Sequence, residues 1–319
     1  MKLIIILMIF FFVLPFSLAQ LRFGFYSFTC PQVEEIVGEV VQSYYQRDIT
    51  IAGALIRLHY HDCIVNGCDA SILIDSRVNR TAEKDAKPNK TLRGFNLIDD
   101  IKSNLEQQCP QTVSCADILT IATRDAIALS NGPTYNVLTG RRDGLVSNGF
   151  NVTIPGPFSN VSQALNFFTS KGLTLEDMVT LMGAHTIGFA KCIFFQSRLS
   201  SFNGNIDPTM DPNLDAFLVE KCGSRGNETS VFLDQKTPFD FDNEFYNQIV
   251  NKRGILQIDQ QLALDPISNV LVWNFASGNF NFWERFGVSW SKLANLDVKV
   301  GNQGEIRRNC RAFNFPLLF

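Results

Sequence analysis

Three things are scarce in this chain. It has 3 histidines in 319 residues, so imidazole chemistry is confined to two short stretches. It has no basic cluster, with 28 Lys and Arg against 31 Asp and Glu and a formal net charge of −3. That balance argues against a nucleic-acid partner. After the first twenty residues no apolar run approaches the length of a membrane span. The chain also lacks internal repeats, low-complexity tracts and a Pro- or Gly-rich linker, so a single domain is expected. About 300 residues suffice for a large core, burying roughly 75% of the unfolded surface.

Met1-Lys2, an apolar run from Leu3 to Leu14, and small residues at Ser17 and Ala19 read as a secretory signal peptide. The expected division is 1–19 signal peptide and 20–319 one domain, with a short tail over 311–319. Such a chain enters an oxidising compartment. Its 8 cysteines all lie beyond residue 19, so four disulfides are expected, while spacing leaves their pairing open. Asn-x-Ser/Thr sequons stand at Asn79, Asn89, Asn151, Asn160 and Asn227.

Apolar periodicity predicts a mostly α fold. Helices are expected after Cys30-Pro31 (Val33 to Tyr44), at about 50–62 with Thr50 as N-cap, and at 95–108, 114–129 and 161–170. A capping-box-like start at Thr174 opens a helix reaching His185. More helices are expected at 190–200, 213–221, 241–251, 265–275 and 279–293. The stretch 67–94 reads as a polar loop, and Tyr135 to Leu138 as a short strand or turn.

The central stretch is Arg57-Leu58-His59-Tyr60-His61-Asp62-Cys63, which continues to Ser71. On a helix, Arg57 and His61 share a face, and His59 points elsewhere. A neutral imidazole can take and return a proton near neutral pH. A fixed guanidinium beside it keeps it basic and stabilises a developing oxyanion. The third histidine, in Gly183-Ala184-His185-Thr186-Ile187-Gly188, has small neighbours that let a large flat ligand approach. A haem iron is commonly held by such a histidine, with an oriented acceptor on its other nitrogen. Asp259, in Gln257-Ile258-Asp259-Gln260, offers that acceptor.

These segments, with Val65 to Ser71, Glu83-Lys84-Asp85, Val113 to Asp117 and Gly140 to Asp143, resemble the signatures of the plant secretory (class III, horseradish-type) haem peroxidases, in order from about Gln20 to Cys310. The resemblance implies one haem b sandwiched between a distal and a proximal helical half. His185 would ligate the iron and Asp259 would hold it. His61 and Arg57 would act on hydrogen peroxide, Asn89 would keep His61 basic, and Glu83 would support Asn89. Asn89 would then be buried and its sequon unused. One Ca2+ would take Asp62, Val65, Gly67, Asp69, Ser71 and Glu83; a second would take Thr186, Asp234, Thr237, Asp240 and Asp242. The implied disulfides are Cys30–Cys109, Cys63–Cys68, Cys115–Cys310 and Cys192–Cys222. Asp117 and Arg141 would form a buried ion pair, and Pro155 would mark the edge where phenolic donors dock. Tyr60 stands where the family usually has phenylalanine, and its hydroxyl adds a hydrogen-bonding and oxidisable group beside the distal pocket.

The implied enzyme is a secreted, monomeric peroxidase of the cell wall that oxidises phenols by one-electron steps. Vacuolar sorting would follow if Phe315 to Phe319 acts as a sorting tail. Two rival readings are a zinc or copper hydrolase using His59, His61, Asp62 and His185, and a non-catalytic calcium-binding glycoprotein. Bound haem separates the first rival from the peroxidase, and turnover with peroxide separates the second.

Overall fold

The computed structural model describes residues 20–205, 207–223 and 229–315. The expected signal peptide, the Asn227 sequon and positions 316–319 of the tail lie outside the described residues. The chain order is α1 (Val33–Arg47), α2 (Ile51–Asn66), α3 (Phe95–Gln108), α4 (Cys115–Leu129), α5 (Val161–Ser170), α6 (Leu175–Met182), β1 (Phe189–Lys191), α7 (Ser200–Asn203), α8 (Pro212–Gly223), β2 (Ser230–Phe232), α9 (Glu244–Val250), α10 (Gln257–Leu264), α11 (Asn269–Ala276) and α12 (Phe282–Leu293). The fold is mostly α, and β1 and β2 form a small antiparallel pair with Ala190 opposite Val231. None of the described helices is long and apolar enough to cross a membrane.

Two helical groups meet in one core. In the first, α2 packs along α4, and α1 packs on α3 and α4. In the second, α9 packs on α10 and α11, and α6 packs on α5 and α12. α12 also touches α2, where Trp290 lies 5.6 Å from His59 between ring centres. Gly53 allows a second junction. A Cβ there would meet the Gly188 Cα at 3.1 Å, so α2 lies directly against the segment following His185.

The four disulfides pair as the family resemblance implies: Cys30–Cys109, Cys63–Cys68, Cys115–Cys310 and Cys192–Cys222. The Arg141 guanidinium meets the Asp117 carboxylate at 2.9 Å with both side chains buried. Arg307, also fully buried, donates to the carbonyls of Asp69, Ala70, Gly144 and Cys310.

Several expectations need correction. α2 continues to Asn66 and ends where Gly67 takes φ 93°, so His61 and Asp62 lie inside the helix. Thr50 makes no side-chain cap; its hydroxyl donates to Asp48 at 2.5 Å. The helix begun by the Thr174 capping box stops at Met182, and His185 sits in a tighter turn over Gly183–Thr186. The span 190–200 holds β1 and short turns in place of a helix, α10 occupies a stretch read as loop, and no strand forms over Tyr135 to Leu138. The loop 67–94 is tied down by short turns at Glu83–Asp85 and Lys87–Asn89.

Candidate active site

α2 carries the Arg57 and His61 side chains. Arg57 and His61 sit one turn apart on it, as their spacing requires. The Arg57 guanidinium donates to the Pro88 carbonyl at 2.9 Å and the Thr91 hydroxyl at 3.0 Å. Burial lowers its pKa to about 10, so it stays a cation near neutral pH.

His61 is buried, with its Nδ1 2.6 Å from the Asn89 amide oxygen. An amide oxygen can only accept, so Nδ1 carries the proton and Nε2 keeps a free lone pair. Burial first, and Arg57 second, hold its pKa near 3 against the opposing pull of Asn89. It is therefore a neutral base. Asn89 is 1% exposed and its amide nitrogen donates to the main-chain carbonyl of Glu83 at 2.7 Å. The support from Glu83 thus runs through its carbonyl. Its carboxylate accepts instead from Asn66 at 2.6 Å and Ser71 at 3.1 Å.

Across the core, His185 presents a side chain that is 33% exposed, while its Nδ1 lies 2.8 Å from the buried Asp259 carboxylate. Asp259 comes from the first turn of α10. Burial works against charge on His185, yet attraction and hydrogen bonding from Asp259 outweigh it and raise the imidazole above its ordinary value. Arg57 is near enough to pull that value back down, so the two helical groups share one electrostatic space. Phe245 packs edge-on to the His185 ring at 5.9 Å.

Tyr60 lies edge-on to His61 at 5.7 Å and is stacked on Phe168 at 6.3 Å. Its hydroxyl has no hydrogen-bond partner among the described residues, and burial raises its pKa above the usual phenol value. Pro155 lies half-buried in an irregular stretch between α4 and α5.

Two oxygen-rich clusters flank the histidines. In the first, the Asp62 carboxylate accepts from the Ala70 and Ile72 amides, and the Asp69 carboxylate from the Ser71 amide and Lys299 at 2.6 Å. The Val65 carbonyl accepts from Lys171 at 2.7 Å, and the Gly67 carbonyl from the Asp69 amide at 2.8 Å. Burial, then repulsion from Asp69, pushes the Asp62 carboxyl well up, and burial lifts Glu83 to about 7. In the second, the Thr186 hydroxyl reaches Asp242 at 3.0 Å and the Asp240 carbonyl at 3.5 Å, and Thr237 reaches Asp234 at 3.2 Å. Burial raises Asp234 as well. Asp69 has Lys299 as a counter-charge, whereas Asp62, Asp234 and Asp242 sit among neutral oxygens, and such carboxylates are the chemistry of a hard-cation site.

His59 points away from His61. It is fully buried against Trp290, with Nε2 3.1 Å from the Thr120 hydroxyl. The hydrolase reading needs His59, His61, Asp62 and His185 on one ion, but His59 turns to Thr120 and Trp290 while His61 turns to Asn89. The spacing of Arg57 and His61 did not reveal Thr91, the Pro88 carbonyl or Lys171. Thr91 and the Pro88 carbonyl are neutral partners in an irregular loop, and Lys171 stands just past the end of α5, so none of them leaves a periodic signal.

Comparison with known proteins agrees. A family profile described as Peroxidase matches residues 37–278. The chain is 49% identical over 97% of its length, and 97% of the other, to Peroxidase 57 of Arabidopsis thaliana. It is 48% identical to Peroxidase 28 of the same plant, over 97% and 98% of the two chains. To Peroxidase 15 of Ipomoea batatas it is 43% identical, over 93% and 94%.

Proposed function

The chain belongs to the plant secretory (class III) peroxidases, and from that premise we propose that its two helical groups hold one haem b between His185 and the pair Arg57 and His61. It is a peroxidase, which reduces hydrogen peroxide at the expense of small reductants. Two imidazoles of matched polarity carry the proposal. Each commits Nδ1 to a buried acceptor, Asn89 or Asp259, and so each keeps Nε2 available. The donor set fits haem: a partly exposed histidine backed by a carboxylate is a strong iron ligand. When bound, haem supplies an iron for His185 and a ring able to give up electrons.

The chain's own groups do the rest. His61 Nε2 takes a proton from the nearer peroxide oxygen and returns it to the farther one, which leaves as water. Asn89 fixes the tautomer that makes this possible. Arg57 stabilises the negative charge that builds as the O–O bond breaks. Phenolic donors then return two electrons singly, with Pro155 at the edge where they dock. Two Ca2+ ions would brace the site. The first takes Asp62, Asp69, Ser71 and the Val65 and Gly67 carbonyls, with Glu83 behind. The second takes Thr186, Asp234, Thr237, Asp242 and the Asp240 carbonyl. Removal of residues 1–19 would leave a monomeric domain over 20–319, secreted to the cell wall.

The test is the absorption spectrum of the secreted protein before and after one equivalent of hydrogen peroxide. A haem Soret band that shifts with peroxide and recovers with guaiacol is expected. In His61→Leu the shift should slow by about 10²–10⁴-fold with the band retained. Folded, calcium-replete protein without a Soret band would overturn the haem proposal. An unslowed variant would remove His61 from it.

A further inference from the structure

A groove of about 540 Å³ runs between Pro133–Tyr135 and α12, with Trp283, Gly287, Val288 and Lys292 along its helical side. Its volume is that of a small-molecule site. None of the residues assigned to haem or calcium lines it. Trp283 is 46% exposed there, and its indole N–H donates to the Phe241 carbonyl at 2.7 Å.

Behind Trp283 lies a continuous run of aromatic rings. The Phe241 ring stacks on Phe282 at 5.5 Å, Phe282 packs on Tyr246 at 5.4 Å, Tyr246 on Phe245 at 5.3 Å, and Phe245 on His185 at 5.9 Å. Each spacing is within the range of direct aromatic contact. Electron tunnelling weakens steeply with every unfilled gap, and this run has ring contacts from the proposed iron ligand to the residue that holds the surface indole.

The ends of the run differ chemically from its middle. Phenylalanine is hard to oxidise. Tyr246 must shed a proton when oxidised, and its hydroxyl donates to the Val179 carbonyl at 3.1 Å, which cannot take that proton. Indole can lose an electron and keep its N–H. The carbonyl accepting that N–H then stabilises the positive ring, because a hydrogen bond to a charged donor is stronger than one to a neutral donor. Trp283 is the natural terminus, with Phe241 to Phe245 as its bridge.

We propose that Trp283 is a second oxidation site, which takes electrons from phenols too bulky to reach the haem edge, such as phenols carried on a polymer. This rests on haem seated against His185. Each peroxide takes up two electrons and two protons to become two waters. The indole sends one electron inward, and a phenol in the groove returns one to it while its hydroxyl proton passes to water. Two phenols leave as phenoxyl radicals for each peroxide consumed.

The test uses haem-loaded, calcium-replete enzyme. Peroxide is added with a nitroso spin trap and no donor, and the covalent adduct is located by peptide mass spectrometry. The adduct is expected on Trp283. Turnover of guaiacol and of phenol grafted to a large dextran is then compared in the wild type, Trp283→Phe and Trp283→Tyr. The phenylalanine variant should lose dextran-phenol turnover by about tenfold or more and keep guaiacol turnover within about twofold. Tyrosine, itself oxidisable, should restore part of the loss. No adduct at Trp283, dextran-phenol turnover unchanged in Trp283→Phe, or parallel loss of guaiacol turnover in both variants would each overturn the proposal. Failure of the wild type on guaiacol would instead overturn the haem reading beneath it.

Discussion

His59 and His61 stand two positions apart and meet opposite surroundings. His61 has an oriented acceptor, whereas His59 has an unpartnered Nδ1 in the core. Burial, and then Arg141, hold the His59 pKa near 3, against about 6.5 for a free imidazole. The depressed value means that the unfolded chain takes up this proton first. Stability is therefore unaffected above about pH 6.5 and is lost as pH falls from there toward 3, by at most about 1.4 kcal/mol per pH unit. Denaturant unfolding of the wild type and His59→Gln between about pH 6.5 and 4.5 should show a shallower slope in the variant. At this scale the sequence was most readable where spacing and chemistry coincide, as in Arg57 with His61. It was least readable where a backbone carbonyl does the work, as with Glu83 beneath Asn89, because a carbonyl carries no residue signature.

Helices with one clean apolar face were legible in the sequence, as α3 and α5 show, while α1 runs three residues past the expected Tyr44 to Arg47. α2 was cut short because it is buried along most of its length, and its polar His61 and Asp62 look like an end when they are interior. α10 was missed because eight residues, half of them polar, give little periodicity, although its first turn supplies Asp259. β1 and β2 are three-residue strands close to the Cys192–Cys222 bridge, and local propensity carries no trace of them. The Thr174 signal was real. Its hydroxyl accepts from the Asp177 amide at 3.1 Å, and the Asp177 carboxylate returns the bond to the Thr174 amide at 2.9 Å. Thr174→Ala should cost about 1 kcal/mol, read as a lowered denaturant midpoint with an unchanged m-value.

Across the whole molecule, the first oxygen cluster begins at the residue after His61 and the second at the residue after His185. Chelation should therefore lower the melting temperature and slow the reaction with peroxide together, and added Ca2+ should restore both. Calorimetry and stopped-flow absorbance before and after EGTA check this, and an unchanged melting temperature would count against the calcium assignment. The Asp69–Ala70 loop of the first cluster has another dependence. Its carbonyls are held by Arg307, which lies 237 positions beyond Ala70, and Cys115 waits for a partner 195 positions away. A ribosome delivers the loop early and its brace very late. Until then the loop lacks the guanidinium that holds its carbonyls. A translation product stopped before Arg307 never closes that loop, so retention of such products by lumenal quality control would follow from the order of synthesis alone.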